Sequence, residues 1–340
     1  MTIFAALTTL IFLPVQFFAA GLFLKPPTRI AAPMEKVEGA SDSKILAERQ
    51  SFKEAIVELK KSNATLKKSG LYPQRKEDYA AIKVLAGASV VIDVDSGTIL
   101  HFEKGRDHMP IASLTKVMTA VSVMENVKNL DESVTIDEEA IAAVPARIGC
   151  PTSLKCTSEK LHLGEKITVG DLMTAMLIDS ANDAAIALGK HVAGSQKVFA
   201  AMMNAKAGEL NLRDSHFCNP SGLDAEGCYS SAYDLARIAA YSMKYDKLWD
   251  IMNTPEANIE SCDGKYDHLL KNTDMLLGQI PNCLGGKTGF TYTAGESLML
   301  AAADPETGRH KIIAVILNDN NRWEDMRKLI KWTFENYEWK

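Results

Sequence analysis

The chain has 340 residues, 46% of them hydrophobic, and a formal net charge of −5. That length and apolar share suffice for a packed core in one large domain or two smaller ones. The mildly acidic balance, with no long basic run interleaved with aromatics, speaks against nucleic-acid binding.

In chain order, the first feature is residues 2–24, which carry no charged side chain and are dominated by Phe, Leu, Ile and Ala. A run of roughly 20 apolar residues can cross a bilayer as a helix. No Lys or Arg precedes Lys25, and no small-x-small site stands near Ala19 and Ala20. An uncleaved membrane anchor over residues 1–24 is therefore expected, rather than a cleaved signal peptide. Lys25, Arg29 and Lys36 follow it, which by the positive-inside rule alone would hold the body in the cytoplasm. The chemistry below places the body outside instead, and a start upstream of Met1 is expected. Residues 25–83 are polar and begin at Pro26-Pro27. Within them Ile45, Phe52, Leu59 and Leu66 recur every seven residues, with Ile56 beside them, which is a helical stripe. Polar Arg49 and Asn63 interrupt the heptad seam, so a solvated stalk helix is expected and not a coiled coil.

The composition changes near Val84, and residues 84–340 are read as the folded body. Residues 88–94 are β-branched and apolar, Asp95-Ser96-Gly97 signals a turn, and residues 98–104 read as a second strand of a hairpin. A helix is expected from Ser113 to about Val127, and residues 169–244 are mostly helical by pattern. Residues 297–303 and 311–317 read as strands joined through Pro305-Glu306-Thr307-Gly308, and residues 322–336 as a closing amphipathic helix. Strands at both ends with helices between them predict an α/β (α+β) domain, a sheet built from the two chain ends and carrying a helical insertion. Six cysteines fall into near neighbours: Cys150 and Cys156, Cys218 and Cys228, Cys262 and Cys283. None forms a CxxC motif, so the even set reads as disulfides of an oxidising compartment, with the pairing left open.

Three short motifs carry chemistry. In Ser113-Leu114-Thr115-Lys116 a helical spacing of three puts the amine beside the hydroxyl. Serine is a weak nucleophile until a base takes its proton, and a lysine whose pKa is depressed can be that base. A second copy, Ser41-Asp42-Ser43-Lys44, lies in the polar stalk and shows how readily the pattern arises. Ser180-Ala181-Asn182 supplies a second hydroxyl and a carboxamide, although Ser and Asn at a helix start are also ordinary N-caps. Lys287-Thr288-Gly289, preceded by Gly285-Gly286, offers two carboxylate-binding side chains next to glycines that let a substrate backbone approach. A loop with a surface lysine has the same composition.

SxxK, SxN and KTG in this order form the signature set of penicillin-binding proteins and class A β-lactamases. The chain resembles, more closely, the low-molecular-weight D-alanyl-D-alanine carboxypeptidases typified by DacA and DacF. The stretches that carry the resemblance are residues 110–119, 176–185, 216–224, 229–236 and 286–291, and the similarity runs from about Ala86 to the end. The resemblance implies a β-lactamase/transpeptidase-like fold, with an antiparallel sheet flanked by helices and an inserted all-helical subdomain. It implies Ser113 as the nucleophile that becomes the acyl-ester, Lys116 as the proton acceptor and Ser180 as a proton relay. It further implies Asn182 as a substrate-positioning group, Lys287, Thr288 and Gly289 around the substrate carboxylate, and the backbone N–H groups of Ser113 and Phe290 as the oxyanion hole. The implied substrate is a peptidoglycan stem peptide ending in D-Ala-D-Ala, with β-lactams as covalent inhibitors, in an extracytoplasmic setting. No metal or cofactor is implied, and the seven histidines show no HExxH-type spacing.

Residues 147–160, with Cys150 and Cys156, read as an insertion closed by a disulfide near the cleft. The second β-rich domain and C-terminal amphipathic helix of many relatives are not expected here. Among rival readings, cleavage of peptidoglycan cross-links by an endopeptidase differs only in the amine that leaves. A class A β-lactamase needs an ExxLN glutamate, and Glu209-Leu210-Asn211 has the wrong spacing. A non-catalytic scaffold would be expected to have lost Ser113 or Lys116.

Overall fold

The computed structural model describes residues 72–151 and 155–340. The expected anchor, and the stalk as far as residue 71, lie outside the described residues. Strand β1 (Pro73–Arg75) precedes a hairpin of β2 (Ala88–Asp93) and β3 (Ile99–Glu103), and a single 3-10 turn (Ala112–Leu114) runs into helix α1 (Thr115–Asn126). Then follow β4 (Ser133–Thr135), the short helix α2 (Glu138–Ile141), β5 (Lys166–Thr168), α3 (Val169–Ile178), α4 (Asn182–Ala193), α5 (Gln196–Glu209), α6 (Ala232–Ser242) and α7 (Asp246–Met252). The hairpin of β6 (Glu256–Glu260) and β7 (Asp267–Lys271) leads to β8 (Cys283–Thr291), β9 (Gly295–Ala303), β10 (Lys311–Leu317), α8 (Arg322–Asn336) and β11 (Tyr337–Trp339).

Strands from the two ends of the body form one antiparallel sheet of order β3-β2-β10-β9-β8. It is buried on both faces, which is why β9 and β10 read as unbroken apolar runs instead of alternating ones. The pleat still sorts the side chains with a period of two. Ile313, Val315 and Leu317 face the helical insertion, with Val90, Ile92, Met299 and Ala301. Ile312, Ala314 and Ile316 face α8, with Val91, Leu298 and Leu300. Helix α1 is buried on every side from Thr115 to Val123, as expected of a helix that is core to its domain. Several helices of the insertion start at side-chain caps: Thr168, Ser195 and Ser231 accept the N–H groups of Asp171, Val198 and Asp234.

The β2–β3 hairpin, the strands at β9 and β10 and the closing helix lie where the pattern predicts them. Three features differ. The Lys287-Thr288-Gly289 stretch is not a loop but part of β8, at the edge of the sheet. Its glycines depress local strand propensity, and the continuous register with β9, Lys287 opposite Met299, supplies what they lack. Ordered contacts also begin upstream of Val84, because β1 pairs with β11 (Gln74 opposite Glu338). Two disulfides form, Cys150–Cys156 and Cys218–Cys228, but Cys262 and Cys283 are free. Their backbones are held in different places, the Cys262 N–H on Lys166 O beside β5 and the Cys283 N–H on Ile280 O at the start of β8. Among the described residues, no helix is long and apolar enough to cross a membrane.

If the sheet is the wall shared by both cores, Ile313→Ala in the middle of β10 is expected to destabilise the protein by about 2–5 kcal/mol. Leu85→Ala, at an exposed position, serves as the control. Equal denaturant midpoints for the two variants in equilibrium unfolding would contradict this architecture.

Candidate active site

Ser113 sits in the 3-10 turn that opens α1, half-buried. The residue before it, Ala112, has φ of 47°, a left-handed conformation that costs a non-glycine residue of order 1–3 kcal/mol. Gly222 makes room for this turn: a Cβ there would stand 1.9 Å from the Ala112 carbonyl oxygen, and its φ of 80° suits glycine. One helical turn on, Lys116 is fully buried and its Nζ lies 2.9 Å from Ser113 Oγ. The same amine donates to Asn182 Oδ1 at 2.7 Å and to the Ser221 carbonyl at 2.5 Å.

These contacts fit a neutral amine. Its two N–H groups go to the two oxygens that can only accept, and its lone pair remains for the Ser113 hydroxyl. Burial pushes Lys116 well below the usual lysine range, and the nearby Lys287 charge pushes it further, against an opposing pull from Asp183. A neutral lysine touching a serine hydroxyl can serve as a general base.

Ser180 lies between α3 and α4 with φ of 61°, and it does not cap α4. The N-cap residue is Ala181, with no side-chain cap. The Asn182 side chain is turned instead to Lys116, while its N–H donates to Ala146 O at 2.9 Å. Two buried carboxylates bracket this turn. Asp179 accepts the N–H groups of Gly149 and Lys271, and Asp183 accepts those of Ile148 and Ala184. Burial raises their pKa values to about 6 and about 7 against those donors. The segment that leads into the Cys150–Cys156 disulfide is thereby tied to the Ser180 turn, in the region where a disulfide-closed loop near the cleft was expected.

On the far side, Lys287 Nζ donates to Ser180 Oγ at 2.9 Å and to Thr288 O at 3.0 Å. Burial lowers its pKa to about 7; Asp274 and Asp179 oppose that shift and Arg322 adds to it. Ser113, Ser180, Asn182, Thr288, Gly289 and Phe290 line one cavity of about 410 Å3, with Lys116 and Lys287 behind its wall. The structure thus brings Ser113, Lys116, Ser180, Asn182, Lys287, Thr288 and Gly289 of the three motifs to a single place.

Pattern reading missed three contributors. Arg322, nearly buried, donates to Gly289 O at 3.0 Å and lines the cavity. In the sequence it is only the first residue of an amphipathic helix, and nothing there separates it from a surface arginine. The Ser221 carbonyl belongs to a turn built by Asn219, whose Oδ1 accepts from Ser221 and Gly222 N–H; in the sequence this stretch carries part of the resemblance, and nothing in it marks a carbonyl as a lysine ligand. Thr273 lines the cavity and meets Thr288 hydroxyl to hydroxyl at 2.6 Å. Among the described residues, no group of three or more His, Cys, Asp or Glu side chains could hold a metal ion.

A family model described as D-alanyl-D-alanine carboxypeptidase matches residues 74–321. The chain is 32% identical over 257 residues to the D-alanyl-D-alanine carboxypeptidase DacF of Bacillus subtilis, covering 74% of this chain and 63% of that one. It thus spans less than two thirds of DacF's length. It is 27% identical over 251 residues to a D-alanyl-D-alanine endopeptidase of Pseudomonas aeruginosa, covering 74% of this chain and 77% of that one. The crystal structure of a D-alanyl-D-alanine carboxypeptidase from Mycobacterium tuberculosis matches with a TM-score of 0.66 at 29% identity, covering 77% of this chain and 96% of that one.

Gly222→Ala is expected to displace the Ala112-Ser113 turn and abolish labelling of Ser113 by a fluorescent penicillin. Gly208→Ala, on α5 with open space around it, is expected to label normally. Equal labelling of the two would show that the turn tolerates the contact.

Proposed function

Because the chain belongs to the D-alanyl-D-alanine carboxypeptidase family, we propose that it removes the terminal D-alanine of peptidoglycan stem peptides through an acyl-enzyme on Ser113. The observation that carries this reading is the buried Lys116 amine, in contact at once with Ser113 Oγ, Asn182 Oδ1 and the Ser221 carbonyl. Ser113 Oγ attacks the carbonyl carbon of the penultimate D-alanine while its proton passes to Lys116. The backbone N–H groups of Ser113 and Phe290 receive the oxyanion, each such donor lowering a barrier by ~3–4 kcal/mol. The C–N bond then breaks, and the departing amine takes a proton through Ser180, which Lys287 holds by its hydroxyl. Water hydrolyses the ester and frees Ser113.

Asn182 positions the substrate peptide, and Thr288, Lys287 and Arg322 form the cationic, donor-rich end of the cleft that takes the terminal carboxylate. β-Lactams acylate the same serine. The substrate and the two disulfides agree with an extracytoplasmic body, with residues 1–24 as its membrane anchor, the stretch from residue 25 to β1 as its stalk, and a catalytic domain that begins at β1, upstream of the expected boundary at Val84. A second reading, cleavage of cross-links by the same acyl-enzyme, is favoured by the match to the Pseudomonas endopeptidase.

A peptide ending in D-Ala-D-Ala is expected to lose D-alanine in the presence of the protein and to stay intact with Ser113→Ala. Penicillin labelling without D-alanine release would turn the reading to cross-linked muropeptides. Lys116→Ala is expected to slow acylation about 10²–10⁴-fold, the usual contribution of a general base. The pH profile gives a further check. Acylation falls on the acid side as Lys116 takes up a proton, and the Lys287 charge holds that proton off. Lys287→Gln removes the repulsion, so Lys116 protonates more easily and the acid limb of the acylation rate is expected to move to higher pH. A limb that stays in place or moves down would rule out Lys116 as the titrating base.

A further inference from the structure

Thr273 belongs to none of the three motifs, yet it stands at the wall of the cleft. Its hydroxyl oxygen lies 2.6 Å from that of Thr288, and both residues are nearly buried. The chain around it is held on two sides. The Thr273 N–H donates to Ile178 O at 3.2 Å and the Lys271 N–H to Asp179 Oδ1 at 2.7 Å. The Asn272 amide donates to the carbonyls of Met252 and Thr254. Thr273 is therefore fixed against Thr288 by the same elements that carry Ser180.

Two hydroxyls in contact share one of their two protons, and the one that donates has none left to offer elsewhere. If Thr288 donated to Thr273, it would turn only lone pairs to the cleft and repel an anion. If Thr273 donates, the Thr288 proton is free to point into the cavity. The neighbouring positive groups, Arg322 and Lys287, draw an anion to that side and favour the second arrangement.

We infer that Thr273 is a positioning residue that donates to Thr288, turns the Thr288 O–H towards the substrate, and so selects a free C-terminal carboxylate over a neutral terminal amide. This rests on the reading in which Thr288 binds the substrate's terminal carboxylate. A carboxylate presents two acceptor oxygens to this donor array, whereas an amide presents one acceptor and two N–H groups that face donors. Once the terminal residue has left, the acyl-enzyme no longer carries that carboxylate, so Thr273 acts on acylation and not on ester hydrolysis.

The test uses the full chain with one peptide in two forms, ending in D-Ala-D-Ala or in D-Ala-D-alaninamide. Thr273→Val keeps the shape and removes the hydroxyl; Thr273→Ser restores it. Loss of one hydrogen bond oriented on a charged group is expected to lower kcat/KM for the acid about tenfold in Thr273→Val. The amide and the rate of acyl-enzyme hydrolysis are expected to change little, and Thr273→Ser to recover the acid preference. An equal drop on acid and amide, or slower ester hydrolysis, would show that Thr273 merely holds the strand and would overturn the inference. An unchanged acid-to-amide ratio would overturn it too. Absence of D-alanine release by the unmodified protein counts against the carboxypeptidase reading alone. The inference is then decided by acylation with benzylpenicillin and its methyl ester, where the same loss of acid preference supports it and an unchanged ratio rejects it.

Discussion

Burying the amine of Lys116 among Ser113 Oγ, Asn182 Oδ1 and the Ser221 carbonyl is the constraint from which the rest of the cleft follows. An ammonium ion taken out of water without a paired carboxylate is costly, and burial therefore pushes the pKa of Lys116 well below the usual lysine range. The three contacts come from three separate stretches of chain: the start of α1, the start of α4 and the Asn219 turn. The amine is dry only when all three are assembled, so its lowered pKa is tied to completion of the tertiary fold.

The sheet makes that assembly rigid. Because both faces of β9 and β10 are buried, β8 is carried on a strand that cannot tilt without opening one of two cores. Its outer edge brings Lys287, Thr288 and Phe290 to the cleft, and α8, packed on the far face of the sheet, sends Arg322 around to Gly289 O. Helix α1, buried from Thr115 to Val123, holds the opposite wall. The two walls touch where Gly289 lies against Ile111 and Ala112, and they are joined across the Ser180 turn, where Lys287 reaches Ser180 Oγ and Asn182 reaches Lys116.

Backbone strain gathers at this meeting point. Ala112 and Ser180 both occupy the left-handed region without being glycine. Each persists because its surroundings over-determine it, Ala112 through the close approach of Gly222 and Ser180 through the carboxylates of Asp179 and Asp183. Those acids accept backbone N–H groups from Ile148 and Gly149, just ahead of the Cys150–Cys156 disulfide, and from Lys271. A segment that reads in the sequence as an insertion near the cleft is in this way part of the frame around the second hydroxyl of the cleft.

Much of this was legible in the sequence, and the legible part is local. Ser113 and Lys116 are one helical turn apart, so their adjacency follows from covalent spacing. The apolar runs of β9 and β10 and the stripe of α8 follow from periodicity. The role of Asn182 was not local: a carboxamide at a helix start can satisfy its own helix or a distant partner, and only the position of α1 decides for Lys116. The glycines of β8 made a loop as plausible as a strand until β9 supplied the register. The even count read all six cysteines as disulfide-bonded, while hairpin and sheet hold Cys262 and Cys283 in different settings and leave both free. Arg322 and Thr273 carried no signal, since burial of a polar side chain depends on what the fold lays over it. The sequence by itself determined which chemical groups are present and which near neighbours they have. Only the tertiary structure decided which distant groups remove their water, and that desolvation is what pushes the Lys116 amine well below the usual lysine range.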